Sequence, residues 1–405
     1  MSSKAKGKGK KGPMGLAPAF AVSVDAAPTA SVVKQAAIKE VAADPTMRKK
    51  MKSLKANSGA KSDKNDLKPP NDVKAMEFLT QHKWPVGLQN ALIKSCKKIA
   101  IRYIITDDSG SMMTNDGHRI IGLNTPNVKM IQCTRWSELV STLKFHAELA
   151  HAAKAPTQFR FLNNCEPIMV GTDDDLEGNA LAAALMIFED ESPAGQTPIC
   201  QQLSEVIECI REQEEELRST GRKACVVIAS DGESTDGNLV DAMRPLQDLP
   251  VWVVVRLCTD EDEVVQYWNN VDSQLELEMD VLDDLMGEAK EVTDANPWIN
   301  YGDPMQKLRE FGASIKEMDL LDESTLSSEQ MRVMCSILVA TGEAKALPHP
   351  DEDWFTFLAA LKDRNAATDK IYDPLSKSMQ PWINLKEMQK TYGPKQSGSS
   401  SCAIS

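Results

Sequence analysis

The sequence predicts an α/β fold: a doubly wound, mostly parallel central sheet flanked by helices, with helical additions at both ends. Three observations support this class. Between residues 98 and 325, short apolar runs alternate with segments of helical length, as in parallel strands joined by right-handed crossovers. Two of these runs, 101–106 and 224–229, lead directly into loops that contain an aspartate. The run 251–255 is continuously apolar, which is typical of a strand covered on both faces.

The elements before the sheet follow from composition and apolar spacing. Residues 1–70 are rich in Lys, Ala, Ser, Gly and Pro and lack a sustained apolar period, so we expect a disordered basic tail. Residues 71–97 carry two apolar patterns of helical spacing, so we expect a helical lead-in. A ubiquitin-associated module is the alternative interpretation of these two helices, and we favour helices that pack on the edge of the main domain.

The periodicity of the main domain, residues 98–325, predicts its elements in order. The predicted strands are 101–106, 158–162, 224–229 and 251–257, with a hairpin at 119–132. The predicted helices are 137–152, 181–189, 198–218, 239–246, 261–271 and 304–311. A helical C-terminal extension follows at 326–393, with helices at 328–340 and 353–364, and residues 394–405 form a flexible tail.

A loop of oxygen-bearing side chains directly follows the first predicted strand. It reads Asp107-Asp108-Ser109-Gly110-Ser111. Alternate residues of an extended loop point the same way, so the side chains at 107, 109 and 111 can face one ion while Asp108 and Gly110 face outward. A carboxylate and two hydroxyls suit a hard, oxygen-seeking cation.

Two more loops carry matching chemistry. Thr197 follows Gly195-Gln196 and lies just before a predicted helix that starts at Pro198, and Asp231 follows the strand at 224–229. Loops at the carboxyl ends of parallel strands converge, so the three loops predict a Mg²⁺ site, with Mn²⁺ or Ca²⁺ as alternatives. Taken alone, Thr197 or Asp231 would more commonly be a helix N-cap.

These residues, in this order, resemble the metal-ion-dependent adhesion site of the von Willebrand factor A family. Asp107, Ser109 and Ser111 match its first motif, Thr197 its second and Asp231 its third. The resemblance covers residues 98–260 and extends toward 325. It departs from the family at Gln196, where a second glycine is usual, and through an insertion at 114–132. The resemblance implies that an Asp or Glu of a protein partner completes the coordination of the metal.

The charge of the chain is unevenly distributed. Overall, 46 Lys and Arg stand against 59 Asp and Glu, a net charge of −13. Residues 1–70 hold 15 basic and 5 acidic side chains, which leaves 31 against 54 in the remainder. The basic tail can contact anionic lipid, nucleic acid or the acidic body. Of these we expect an anionic membrane surface as its partner, and no nucleic-acid ligand.

The cysteines and the C-terminus bear on localisation. Nine cysteines occur without C-x-x-C pairs, which argues against structural zinc and a disulfide framework. With no apolar stretch of about 18 residues and no signal-peptide pattern, we expect a cytoplasmic protein. The last four residues, Cys402-Ala403-Ile404-Ser405, fit the prenylation pattern, and a terminal Ser favours farnesyl. One lipid anchors only marginally, and the Lys-rich N-terminus can supply the second signal at a membrane face.

Three functions are compatible with these features. The leading hypothesis is a non-enzymatic, Mg²⁺-dependent adaptor or scaffold that captures a carboxylate of a protein partner. A metal-dependent hydrolase is the second, although no histidine lies in the three loops as a general base. The third is a structural subunit of a larger assembly, whose contacts are made by the helical ends.

Overall fold

The computed structural model describes residues 71–394, except 124, 126, 164–165, 174, 176–177, 191, 260 and 341–345. All described residues belong to one compact unit. The predicted disordered tail at 1–70 and the prenylation motif at Cys402 lie outside the described residues.

Ten β-strands occur in the described residues. Their bounds are β1 Ile99–Thr106, β2 Gly117–Ile121, β3 Lys129–Cys133, β4 Thr157–Phe161, β5 Ile168–Val170, β6 Lys223–Ser230, β7 Val251–Leu257, β8 Met279–Leu282, β9 Ile371–Asp373 and β10 Ser378–Gln380. Six of them form the central sheet in the order β5-β4-β1-β6-β7-β8, in which only β5 is antiparallel to its neighbour. The remaining four form two hairpins, β2–β3 and β9–β10.

Twelve α-helices accompany these strands in the described part of the chain. They are α1 Asp72–Gln81, α2 Val86–Lys98, α3 Arg135–Ala153, α4 Asn179–Asp190, α5 Ile199–Thr220, α6 Leu239–Met243, α7 Asp262–Ser273, α8 Leu285–Ala295, α9 Asp303–Glu310, α10 Ser328–Leu338, α11 Trp354–Ala367 and α12 Leu385–Tyr392. The architecture is therefore the predicted doubly wound α/β fold with helices on both faces of a mostly parallel sheet.

The apolar side chains of the central strands divide between two hydrophobic clusters. Every residue of β1 is buried. Ile104 belongs to one cluster with Leu139 and Leu143 of α3, while Ile105 belongs to the other with Leu203 of α5. Since side chains alternate along a strand, this division places α3 and α5 on opposite faces of the sheet.

The N-terminal helices and the C-terminal extension share the first of these clusters with the main domain. Leu79 of α1 and Leu92 of α2 belong to it, as do Met334 of α10 and Phe357 of α11. A main-chain hydrogen bond also joins the lead-in to the main domain, since the Asn71 amide donates to the carbonyl of Ala153 in α3 at 2.7 Å. The two lead-in helices are thus packed on the main domain, as we favoured.

Several elements differ from the sequence-based expectations. The predicted helix 239–246 is a short α-helix followed by a 3₁₀ turn, Arg244–Asp248, with Pro245 near its start. The strands β5, β8, β9 and β10 and the helices α8 and α12 were not predicted. The predicted hairpin in the insertion is present as β2–β3, and the amide of Met130 in β3 donates to the hydroxyl of Tyr372 in β9 at 3.1 Å.

Two further observations concern the described residues only. None of their helices combines the length and the apolar character needed to cross a bilayer. Their seven cysteines, at 96, 133, 200, 209, 225, 258 and 335, are all free thiols.

Candidate metal centre

The candidate site lies where two neighbouring parallel strands end. β1 and β6 pair in register, with Thr106 opposite Ala229. The residues that directly follow the two strands are Asp107 and Asp231. The chain leaves β1 toward β4 on one side and returns to β6 on the other, so the site occupies a topological switch point. Ligand sites of open α/β sheets are found at such points, outside the carboxyl ends of the strands.

Asp107 is fully buried and held by two hydrogen bonds. One carboxylate oxygen accepts from the amide of Ser109 at 2.8 Å, and the other accepts from the hydroxyl of Ser230 at 2.6 Å. Burial raises the pKa of Asp107, and the hydrogen bonds from Ser230 and Ser109 oppose this increase. Each carboxylate oxygen still has a lone pair that can face an ion or a water molecule.

Ser109, Ser111 and Asp231 form a chain of oxygen atoms next to Asp107. The Ser109 and Ser111 hydroxyl oxygens are 2.9 Å apart, and Ser111 donates to an Asp231 carboxylate oxygen at 2.8 Å. Neighbouring ligands of an octahedral Mg²⁺, each about 2.1 Å from the ion, lie about 3 Å apart. The observed spacings and the all-oxygen donor set therefore fit a small divalent cation.

The Thr197 loop is tied to both other loops through its main chain. The Gly110 amide donates to the Gly195 carbonyl at 3.4 Å, and Thr197 exchanges hydrogen bonds with Thr235, its amide donating at 3.1 Å and its carbonyl accepting at 2.9 Å. The side chain of Thr197 is largely buried at this junction. All five predicted residues therefore belong to connected loops. Hydrogen bonds link Asp107, Ser109, Ser111 and Asp231, whereas Thr197 is joined to them through the main chain of its loop.

The N-cap alternative is wrong for both residues that it concerned. α5 begins at Ile199, one residue later than predicted, and its first free amides are capped by the carboxylate of Asp236, which accepts from Cys200 at 3.1 Å and Gln201 at 2.8 Å. α6 begins only at Leu239, and Asn238 is its cap. Neither Thr197 nor Asp231 has a capping role.

Asp108 was expected to face outward, and this expectation was wrong. Its side chain is fully buried, and one carboxylate oxygen accepts from both the main-chain amide and the side-chain amide of Asn163 at 2.9 Å. The expectation failed because it ignored the loop after β4, which offers two donors to this carboxylate. Gly110 is exposed, as expected.

A buried arginine that the sequence reasoning missed borders the site. Arg135 donates from Nη1 to Asp231 at 3.0 Å, from Nε and Nη2 to Asp116 at 2.8 and 2.6 Å, and from Nη2 to Glu261. Its hydrogen bonds with Asp116, then with Glu261 and Asp231, raise the pKa of Arg135 against the effect of burial. In turn, Arg135 lowers the pKa of Asp116.

The sequence contains a weak signal for this arginine. Arg135 is the first residue of α3, directly after the N-cap Thr134. A cation is unfavourable in the first turn of a helix because the N-terminus carries partial positive charge. An arginine at that position indicates compensating acids brought from elsewhere in the chain, here from residues 116, 231 and 261. The sequence pattern predicts a helix that starts at 137, so Arg135 lies outside the predicted helix and this signal is not seen.

No family model matches the chain, and no curated protein matches it. Among solved structures, it is similar to a conserved hypothetical protein, BatB from Bacteroides thetaiotaomicron, with a TM-score of 0.33 and 13% identity over 53% of this chain and 99% of that one. At this TM-score the similarity carries no argument about family or activity.

Proposed function

We propose that the protein is a divalent-metal-dependent binding adaptor that captures a carboxylate of a protein partner. The observation that carries the proposal is the convergence of Asp107, Ser109, Ser111 and Asp231 on one edge of the sheet, with oxygen atoms 2.8 and 2.9 Å apart. The loop of Thr197 joins them. The resemblance of this set to a metal-ion-dependent adhesion site supports the same interpretation.

The proposed ligands of the ion are the side chains of Asp107, Ser109, Ser111, Thr197 and Asp231. Mg²⁺ is the expected cation, because the donors are all oxygen and include neutral hydroxyls. When bound, it supplies a Lewis-acidic centre for an Asp or Glu side chain of the partner. The two carboxylates formally balance the charge of the ion, and the three hydroxyls are neutral and donate to it only weakly, which favours a further, acidic ligand.

The rim of the site also suits a protein partner. Met113, two residues after Ser111, is 52% exposed at the end of the 3₁₀ turn. Methionine adapts its shape to an apolar neighbour and is enriched at protein interfaces relative to the rest of the surface. The expected ligand therefore presents a carboxylate with an apolar residue next to it.

Membrane attachment is the second part of the proposal. It rests on the C-terminal sequence Cys402-Ala403-Ile404-Ser405 and on the excess of lysine in residues 1–70. The mass of the C-terminal peptide isolated from cells tests it: farnesylation adds its characteristic mass at Cys402, whereas an unmodified Cys402-to-Ser405 terminus contradicts it.

The adaptor proposal is tested by affinity capture from a lysate with and without a chelator. Asp107→Ala should reduce partner capture at least about tenfold, comparable to chelation, because a metal ligand is lost. Asp241→Ala is the matched control, since Asp241 is exposed and pairs only with Arg244 on the surface. Mg²⁺ should raise the melting temperature of the wild type and of the control, but not that of the variant.

Asp107→Asn separates a loss of metal from a loss of folding. The asparagine retains groups for the hydrogen bonds with Ser109 and Ser230 but removes the charge. The proposal fails if capture survives both the chelator and Asp107→Asn, or if Mg²⁺ stabilises the wild type and the variant equally.

A further inference from the structure

Arg135 forms a buried ion pair with one of the proposed metal ligands. Its side chain is 4% exposed, the side chain of Asp231 is fully buried, and their closest atoms are 3.0 Å apart. At this depth the attraction is only weakly screened by water or salt. The negative charge of Asp231 is therefore largely balanced within the protein, before any external cation binds.

The guanidinium is fixed in place by acids from three separate parts of the chain. Besides Asp231 after β6, it binds Asp116 at the start of the insertion and Glu261 at the N-cap of α7. Asp116 is engaged by two nitrogen atoms in a bidentate pair. Because these bonds hold all three nitrogen atoms of the group, Arg135 cannot simply swing away when a cation enters.

The three acids differ in exposure. The side chains of Asp116 and Glu261 are 40% and 58% exposed, so water screens their charges. The pair with Asp231 lies on the buried side, facing the hydroxyl of Ser111. Of the two carboxylates in the proposed metal site, only Asp107 has no basic side chain among its hydrogen-bond partners.

We infer that Arg135 sets the charge of the metal site by cancelling that of Asp231, so that the ion is held weakly until a ligand carboxylate joins it. This inference rests on the proposed function. It assigns a positioning and specificity role to a residue outside the ligand set. An incoming carboxylate is then attracted mainly by the ion, because the guanidinium is buried and its nitrogen atoms are already bound by three acids.

The test is direct binding of Mn²⁺, measured by the electron paramagnetic resonance of the free ion. Arg135→Gln should bind Mn²⁺ at least about tenfold more tightly than the wild type, because removing a nearby cation frees the charge of Asp231. Acetate, as a probe for the ligand carboxylate, should tighten Mn²⁺ binding more in the wild type than in this variant.

Two further variants keep the test decisive. Arg135→Lys keeps a positive charge beside Asp231, so its affinity for Mn²⁺ should stay within about threefold of the wild type. Arg222→Gln is the control for net charge, since Arg222 precedes β6 at the opposite edge of the sheet and should leave Mn²⁺ binding unchanged.

The outcomes separate this inference from the proposed function. If the wild type binds Mn²⁺, Asp107→Asn abolishes binding and Arg135→Gln leaves it unchanged, the inference is wrong and the metal site stands. If Arg135→Lys binds Mn²⁺ as tightly as Arg135→Gln, or Arg222→Gln gains as much as Arg135→Gln, the inference is also overturned. Failure of the wild type to bind Mn²⁺ refutes the proposed function itself.

Discussion

The surroundings of a buried ionisable residue determine its protonation state in this fold. His146 in α3 is buried, and its Nε2 lies 3.3 Å from the carbonyl oxygen of Lys307 in α9. Burial, aided by the charge of Lys307, lowers the pKa of His146 to about 3. The folded protein therefore keeps this imidazole neutral at pH values at which an unfolded chain would protonate it.

The stability of the protein should consequently fall in mild acid. The pKa of a histidine in an unfolded chain is about 6.5. The stability that neutral His146 contributes above that pH is therefore lost as the pH falls toward its folded pKa of about 3. His146→Gln removes this contribution, and the difference between wild type and variant should change by about 1.4 kcal/mol per pH unit from pH 6 to 4. Urea unfolding of both proteins at several pH values measures this difference. Free energies of unfolding that vary with pH in the same way in both proteins would contradict the prediction.

The site residues show what sequence can reveal at this scale. Asp107 and Asp231 each follow an apolar strand of the predicted parallel sheet, so their proximity was predictable because loops at the carboxyl ends of such strands converge, although metal binding itself stays a prediction. Arg135 was not predictable, because its three acidic partners come from loops whose paths depend on tertiary packing. Asp108 was misjudged for a similar reason, since the donors at Asn163 come from another loop.

At the scale of elements, strong apolar periods were predicted well and short or polar elements were not. β7 matches its predicted bounds, and β6 and α3 extend theirs by one or two residues. β8, with the sequence Met-Asp-Val-Leu, and the three-residue strands β9 and β10 are too short to show a period of their own. These strands form because a neighbouring strand pairs with each of them, and a local sequence pattern does not show that pairing.

One close contact between elements gives a specific test. A Cβ atom added at Gly87 in α2 would lie 2.0 Å from the carbonyl oxygen of Ile337 in α10. Gly87→Ala should therefore force the two helices apart and lower the free energy of unfolding by about 1–3 kcal/mol. Denaturant unfolding measures the change.

Gly110→Ala is the matched control for this substitution, because an added Cβ there meets nothing within 4 Å. Its stability should stay within about 0.5 kcal/mol of the wild type. An equal decrease in the free energy of unfolding of the two variants would contradict a close contact between α2 and α10.

At the scale of the whole molecule, the C-terminal extension completes the core beneath the main domain. Trp298 is fully buried, its carbonyl accepts from the amide of Asn384 at 2.7 Å, and its ring contacts that of Tyr392. Met334 and Phe357 belong to the same cluster. Deleting residues 326–405 would therefore remove core packing together with any docking surface.

A chain that ends at residue 325 should accordingly lose cooperative unfolding, because large apolar side chains of the main domain become exposed. A chain that ends at residue 394 removes only the tail and is the control. Thermal unfolding followed by tryptophan fluorescence distinguishes the two. An unchanged, cooperative transition in the shorter chain would mean that residues 98–325 form an independent domain.

The hydrogen bond between Met130 and Tyr372 joins residues that are 242 positions apart. It fastens the hairpin of the insertion to the hairpin of the extension, and Asp116 at the base of the first hairpin binds Arg135. We therefore expect sequence changes near the end of the chain to influence the position of Arg135 beside the proposed metal site. Such changes would leave every proposed metal ligand unchanged.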